Sequence, residues 1–289
     1  MDLREALDAI AARLGDLFRT AFGAGPAEPP LEFGADVDAQ LFSHRSGLFL
    51  GLYDEASAAR ALEERGVLPA LRARIGADLR LRLYPDDDIV RVVLAGRPEG
   101  PEAIVVELKA RLVHGTSDPA AKHAGFPALE LLAIDWMLLQ NPLKPFPRGR
   151  RALPGQRFPG LGLGQEVVGT LVRIARRLGA GGLIGIPMYY HTAVLYHRLF
   201  AYVDPVEEGR FQALRRDLGD LSLEGAAFAV AEGRVRDAGT GAPLAWEGRE
   251  MVFPLGEPVR GYLANPAYAD DAARALLATR FVVEAPRIC

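Results

Sequence analysis

The sequence predicts an α+β protein: a mixed, mostly antiparallel central sheet flanked by helices, with an N-terminal helix before it and a small β-rich C-terminal extension after it. Three observations predict this. Apolar residues recur at helical spacing in residues 3–22 and 163–178. Between those stretches, "DLRLRLYP", "DIVRVVLAG" and "AIVVELKARLVHG" read as strands, the last two joined by the hairpin-type connection "RPEGPE". Gly and Pro punctuate the text between elements, and no internal repeat or low-complexity segment interrupts it.

The elements follow in order. Leu3, Leu7, Ile10, Leu14, Leu17 and Ala21 fall on one helical stripe, and "GAGPAEPP" after it is a linker by composition. This helix is therefore a docking arm, for the main body or for the second subunit of a homodimer, with docking inside the chain preferred. "GLFLGLY" at 47–53 reads as a strand, and "DEASAARALEERGVLPALRARIG" as one or two helices with Asp54 as N-cap. The meander comes next. Residues 128–140, "ALELLAIDWMLLQ", are dense enough in apolar residues for a central strand or a buried helix, and at least the second half reads as a strand. "NPLKPFPRGRRALPGQRFPG" is irregular, because each proline removes a donor and turns its predecessor from helix. Leu163, Val167, Leu171, Ile174, Ala175 and Leu178 then mark a helix ending at Gly179. A short strand "GLIGIP", a helix around "HTAVLYHRLF" and a polar exit "VDPVEEGR" follow. The tail pairs strand-like "AAFAVAEGRVR" and "REMVFPL" across the turn "DAGTGAP" and closes with a short helix, "YADDAARALLATR". Three units result: an arm and linker at 1–30, a main domain at 31–215 and an extension at 216–289.

Composition narrows the function classes. With 289 residues, 49% hydrophobic and 25% charged, the chain can bury a sizeable core. Its formal net charge of −3 supplies no global positive field for nucleic acid or an anionic membrane. Lysine occurs only at 109, 122 and 144, an arginine bias that suggests a GC-rich bacterial genome. Cys289 is the single cysteine, which excludes an intrachain disulfide and a Cys-based zinc site. The start carries Asp2, Arg4, Glu5 and Asp8 where a signal peptide needs an apolar run, and no apolar run reaches the ~18 residues of a membrane span. A cytoplasmic protein is expected.

The stretch that carries chemistry is "RFPGLGLGQEVVGTLVRIARRLG", from Arg157. Bare glycines at a helix start let backbone N–H groups approach a phosphate, and the helix terminus adds partial positive charge. A dinucleotide fingerprint fails here. Counting from Gly160 and Gly162 its sixth place is Gln165, and from Gly162 and Gly164 it is Val167. A Walker loop fails as well, since "GQE" stands where G-K-[ST] is required. What remains is R-x-x-G-x-G from Arg157, Gly160 and Gly162, followed by an amphipathic helix, a short strand and a helix bearing a tyrosine.

This order resembles the acyl-CoA-binding core of the GNAT superfamily of acyl-CoA-dependent N-acyltransferases, over about residues 128–205. The resemblance implies a GNAT-like fold in which backbone amides along Arg157, Gly160, Leu161, Gly162, Leu163, Gly164 and Gln165 hold the coenzyme pyrophosphate. Acetyl-CoA or another acyl-CoA would be the cosubstrate, with a small-molecule or peptide amine as acceptor. In "TAVLYHRLFAYVDP", Leu195, Tyr196 and Leu199 match the family's second pattern, whose tyrosine protonates the leaving thiolate. The chain departs from that pattern at Phe200-Ala201, at Tyr189 where an asparagine is common, and in a proline- and arginine-rich insertion before the glycines. A ligand-free flexible turn and another phosphate binder are the competing readings. A non-catalytic acyl-CoA sensor or interaction module is the competing function.

Acyl transfer to an amine needs a base, a polarising amide and an acid for the thiolate. Tyr196 is the acid candidate, or else fills space between helix and sheet. The base candidates are Glu107 in "VVELKA" and Glu130 and Asp135 in "ALELLAIDWM"; each could instead be an ion-pair partner or a solvated residue. His191 and His197 read as surface or capping residues, six apart and so on different helix faces, and no metal is expected. Arg148, Arg150, Arg151 and Arg157 would suit a phosphate or anionic substrate, or form a solvated loop, the second being preferred for all but Arg157. "YYH" at 189–191 lines the acyl or acceptor tunnel or simply packs after Pro187.

Overall fold

The computed structural model describes residues 2–5, 8, 12–13, 47–98 and 100–284. Most of the N-terminal stripe (Leu7, Ile10, Leu14, Leu17, Ala21), the linker and Cys289 lie outside the described residues. Arg13 belongs to the arm, and its guanidinium donates to His197 Nδ1 at 3.3 Å and to the Phe200 carbonyl. At that point the arm touches the chain's own main body.

"GLFLGLY" is not a strand. Gly47, Leu50 and Gly51 all adopt positive φ, and Phe49, Leu52 and Tyr53 close a tight turn through backbone bonds of 2.8–3.1 Å. Leucine and aromatic residues produce the strand-like text, but Gly47 and Gly51 let the chain bend. Asp54 then caps helix α1 (Glu55–Glu64) in a reciprocal box with Ser57. Helix α2 (Val67–Ile75) follows after Gly66. Strands β1 (Leu79–Tyr84), β2 (Ile89–Leu94), β3 (Ile104–His114) and β4 (Glu130–Leu139) form the expected antiparallel meander, with short helix α3 (Pro119–His123) before β4. Residues 130–139 are thus strand throughout.

Helix α4 (Gly164–Arg177) crosses over to β5 (Gly182–Gly185), which pairs parallel to β4. Helix α5 (Tyr190–Tyr196) and β6 (Ala201–Tyr202) come next. The "polar exit" is instead the start of helix α6 (Pro205–Asp217), with Asp204 as N-cap and Pro205 in its first turn. "AAFAVAEGRVR" is also mostly helical. Ser222 caps α7 (Leu223–Ala231), and only Val235–Asp237 forms a strand, β7. No hairpin links the two tail strands: β7 pairs with the final strand β9 (Phe281–Val283), whereas β8 (Met251–Pro254) lies between β5 and β6. Helices α8 (Glu257–Leu263) and α9 (Pro266–Ala278) sit between β8 and β9.

The result is a mixed α+β fold around a seven-stranded, mostly antiparallel sheet in the order β1-β2-β3-β4-β5-β8-β6. The segment expected as a C-terminal extension contributes one of its strands. On one face Leu108, Ala110, Leu132, Ile134 and Leu183 pack with Val167 and Leu171 of α4 and Ala226 and Val230 of α7. On the other, Leu131, Ala133, Ile184 and Val252 pack with Val259 and Leu263 of α8 and Tyr268 and Ala272 of α9. A third cluster joins α2 and the inner strands to Leu161 and Leu163 of the glycine run. Among the described residues, no helix is long and apolar enough to cross a membrane.

Candidate functional site

The site is built where β4 ends. Gln140 bridges Gly160, and Asn141 N–H donates to the Pro159 carbonyl at 2.7 Å, so the insertion leaves and rejoins the sheet at one point. From there Leu161 and Leu163 turn inward as buried anchors, while the glycines between and beside them face outward. Gly162 adopts φ +66°, and a Cβ built on it would come within 3.2 Å of the Arg74 guanidinium. Helix α4 begins at once. Its N-cap position, Leu163, offers no side-chain acceptor, so the first-turn amides of Gly164, Gln165 and Glu166 are uncapped. Uncapped amides and a positive helix end favour a nearby anion. Arg74, in the last turn of α2, donates to the Leu161 carbonyl and brings a cation to the same turn.

Beside this turn the sheet opens. The parallel pairing of β4 with β5 covers Leu132 to Ile134 and stops at Gly185. The cause lies in β4: Trp136 faces Lys109 and Ile134 faces Ala110, so Asp135 is an extra residue with no partner across the ladder, a β-bulge. A bulge bends its strand and re-aims the side chains around it. Beyond it, residues 135–139 have no strand partner on the β5 side among the described residues. The two strands form a fork.

Tyr196 sits in the crotch of that fork. A Cβ on Gly185 would lie 3.6 Å from the Tyr196 ring and 3.4 Å from the Ile134 carbonyl. The ring stacks on Phe200 at 5.2 Å, and burial pushes the phenol up to about 12. Its hydroxyl makes no hydrogen bond among the described residues and stays protonated at neutral pH. The other expected tunnel residues separate. Tyr189 is exposed and stacked on His191 at 5.6 Å, whereas Tyr190 is buried against Trp246 and Phe211.

The carboxylates divide too. Glu107 is ion-paired to Arg91 at 2.5 Å and lines a cavity of about 520 Å³ with Trp136, Leu138 and Arg157. Asp135, on the bulge, pairs with Arg111 at 2.7 Å. Glu130 starts β4 and pairs with exposed His114 at 2.9 Å; at ~3.3 Å per residue it lies roughly 17 Å along the strand from Asp135. The structure brings Tyr196 and Asp135 to the fork, sets Glu107 on the open face beside it, and leaves Glu130 at the far end.

The insertion packs against α7 and the start of α5. Arg151 lies over the Phe228 ring at 4.2 Å, Leu153 packs into the main core, and Gly155 abuts Tyr189 so closely that an added methyl would fall on the ring. Arg157 pairs with Glu102 at 2.9 Å on the exposed side and does not contact the helix start.

Two features escaped the sequence reading. Arg74 carries no motif and reaches the glycine turn only through the packing of α2. His197 is no surface residue: it is fully buried, with Nε2 2.7 Å from the equally buried Glu208. Arg13 and Arg215 both approach its Nδ1, so that nitrogen accepts and Nε2 carries the proton. Glu208 also accepts from the Tyr202 amide and Gln212, at 3.0 and 2.9 Å. Among the described residues no group of three His, Cys, Asp or Glu side chains could hold a metal ion. No protein-family model matches the chain, and no curated protein matches it.

Proposed function

We propose that the protein is an acyl-CoA-dependent N-acyltransferase of GNAT type, working in the cytoplasm and passing an acetyl or other acyl group directly to an amine. One observation carries the reading: the bulge-opened fork, the uncapped helix start under Gly160–Gly164 and Tyr196 in the crotch all meet at one end of β4. In open sheets with helical crossovers, ligands sit outside the carboxyl ends of strands. The pyrophosphate would rest on the amides of Gly164, Gln165 and Glu166 with Arg74 beside it, and the thioester arm would enter the fork. The unpaired edge of β4 offers backbone groups to the amides of that arm. The amine nitrogen attacks the thioester carbon, forming C–N as C–S breaks. A carboxylate at Asp135 or Glu107 takes the ammonium proton, and Tyr196 gives its proton to the departing sulfur.

Isothermal titration with acetyl-CoA and with free CoA tests binding. Micromolar affinity for both is expected, and no heat at millimolar ligand overturns the proposal. Gly162→Val abolishes binding, because a branched side chain is strained at φ +66° and blocks the backbone approach.

A second reading, a non-catalytic acyl-CoA sensor, is favoured by two particulars: the insertion seated on Tyr189, and a phenol near 12, well above the pH at which a general acid works best. Turnover of acetyl-CoA by the unaltered chain separates the two, and Tyr196→Phe then tests the acid. The transferase loses about 100-fold or more in turnover while coenzyme binding persists; turnover unchanged in the variant removes Tyr196 from the mechanism.

A further inference from the structure

The cavity that Glu107 shares with Trp136 and Leu138 holds about 520 Å³, inside the ~300–1,000 Å³ of small-molecule sites. Its floor is a face of the sheet: Trp136 and Leu138 are alternate residues of β4, and Ile104 and Glu107 stand on β3. Trp136 and Leu138 belong to 135–139, the unpaired arm of the fork, so the cavity borders the fork along β4. Most of its lining is apolar, from Pro101, Ile104, Trp136 and Leu138, and the indole is 44% exposed although tryptophan is among the most buried residues on average. The two cations there are engaged. Arg91 is paired with Glu107 and lies 4.9 Å over the Tyr84 ring, and Arg157 is paired with Glu102 at 2.9 Å and lies 5.5 Å over Phe158. Glu107 differs. Its side chain is 17% exposed, Arg91 Nε donates to Oε2, and Oε1 accepts no hydrogen bond among the described residues.

This lining selects among amines. A carboxylate on the acceptor would meet guanidiniums that already face a carboxylate, and would be repelled by Glu107 itself. An uncharged apolar molecule would cover the Glu107 oxygen without giving it a donor, which costs the desolvation of a charged group. An ammonium on an apolar skeleton satisfies both the oxygen and the apolar wall. Resting on the acyl-transfer reading, we propose that the acceptor is a primary amine on an alkyl or aromatic skeleton that carries no carboxylate. The skeleton lies on Ile104, Trp136 and Leu138, and the ammonium donates to Glu107 Oε1. Glu107 takes the ammonium proton, the nitrogen forms the C–N bond as the thioester C–S bond breaks, and the sulfur leaves with the Tyr196 proton. Of the two fork-side carboxylates, Glu107 is then the base, because it is the one that lines the cavity.

The chain has two tryptophans, so Trp246→Phe leaves Trp136 as the sole indole reporter and removes a buried N–H that has no acceptor. In that variant, hexylamine and cyclohexylmethylamine should give a saturable change in indole emission. 1-Hexanol, which lacks the ammonium, and L-norleucine, which adds a carboxylate, should bind at least about tenfold more weakly. Adding Glu107→Gln should cut hexylamine affinity about tenfold while calorimetric titration with free CoA is unchanged, the melting temperature of each variant confirming that it folds. In turnover of acetyl-CoA by the unaltered chain, kcat/KM for hexylamine should exceed that for L-norleucine by about tenfold or more. If free CoA binds and the amines leave the indole emission unchanged, the inference is overturned and the acyl-transfer reading stands. Equal binding of 1-hexanol or L-norleucine overturns it in the same way, and so does an amine affinity unmoved by Glu107→Gln. Absence of coenzyme binding overturns the acyl-transfer reading itself and the acceptor assignment with it.

Discussion

The most demanding side chains in the molecule are His197 and Glu208, both wholly buried. Burial alone would raise the Glu208 carboxyl, but His197 beside it and the hydrogen bonds it accepts outweigh that and hold it down to about 2. Burial dominates at His197 and pushes the imidazole below its ordinary 6.5. The two shifts act in the same direction on stability. As pH falls through 6.5 the unfolded chain takes up a proton at His197 that the folded one refuses, and below about 4.5 the same holds at Glu208. Folding free energy should therefore be level between about pH 7 and 9, decline below 6.5 and more steeply under 4.5, and decline again near pH 10, where the unfolded chain ionises tyrosines such as Tyr196 that burial keeps protonated in the fold. Urea titrations at stepped pH check this. His197→Gln keeps a donor for Glu208 and an acceptor for the arginines, so it should flatten the slope between pH 6.5 and 5 with modest loss at neutrality. Glu208→Ala leaves the Tyr202 amide and His197 without their acceptor and should cost ~3–5 kcal/mol, as breaking a buried pair does.

Helices α6 and α9 cross at Gly209. A Cβ there would meet the Ala272 carbonyl and lie 2.8 Å from Ala275 Cβ, and backbone cannot step aside as a flexible side chain can. Gly209→Ala should destabilise by ~1–3 kcal/mol through overpacking, despite alanine's better helix propensity. Asp204→Ala removes the α6 cap, which accepts from Val206 N–H at 2.9 Å, and should cost ~1 kcal/mol. Thermal melts of the two variants rank them. That cap shows which elements could be read and which could not. Helix α4 stands in the text because it has one buried side and hence a period, and β5 stands there as a short apolar run buried on both faces. Asp204-Pro205 is a plain start signal for α6, and it was obscured by the charges that follow, one of which, Glu208, points inward. Helix α7 buries Ala226, Ala227, Ala229 and Val230 and so shows no polar side to mark its turn, while Ser222 before it was the legible clue. The glycine run, Tyr196 and the base candidates are visible as residue types. The opening of the sheet beside them is not, since it depends on one extra residue at Asp135 whose effect appears only across the ladder.

β8 shows what holds the fork together. It is the outer partner of β5, with Leu183 facing Phe253 and Gly182 so close to the Phe253 carbonyl that a Cβ would lie 2.9 Å from it. It also carries β6, and its Val252 packs under α8. Without it β5 would be a four-residue edge strand held by three pairings to β4, and the ring of Tyr196 would lose the Gly185 surface on which it rests. A chain truncated after residue 215 keeps every glycine of the turn, both fork-side candidates and Tyr196, so an autonomous domain ending there would still bind coenzyme A. The sheet order argues the opposite: truncation should abolish cooperative melting and ligand binding together, and the full chain should unfold through the sheet in one calorimetric transition. Two transitions in the full chain, or a truncated protein that melts cooperatively, would show that the sheet can close without its C-terminal strand.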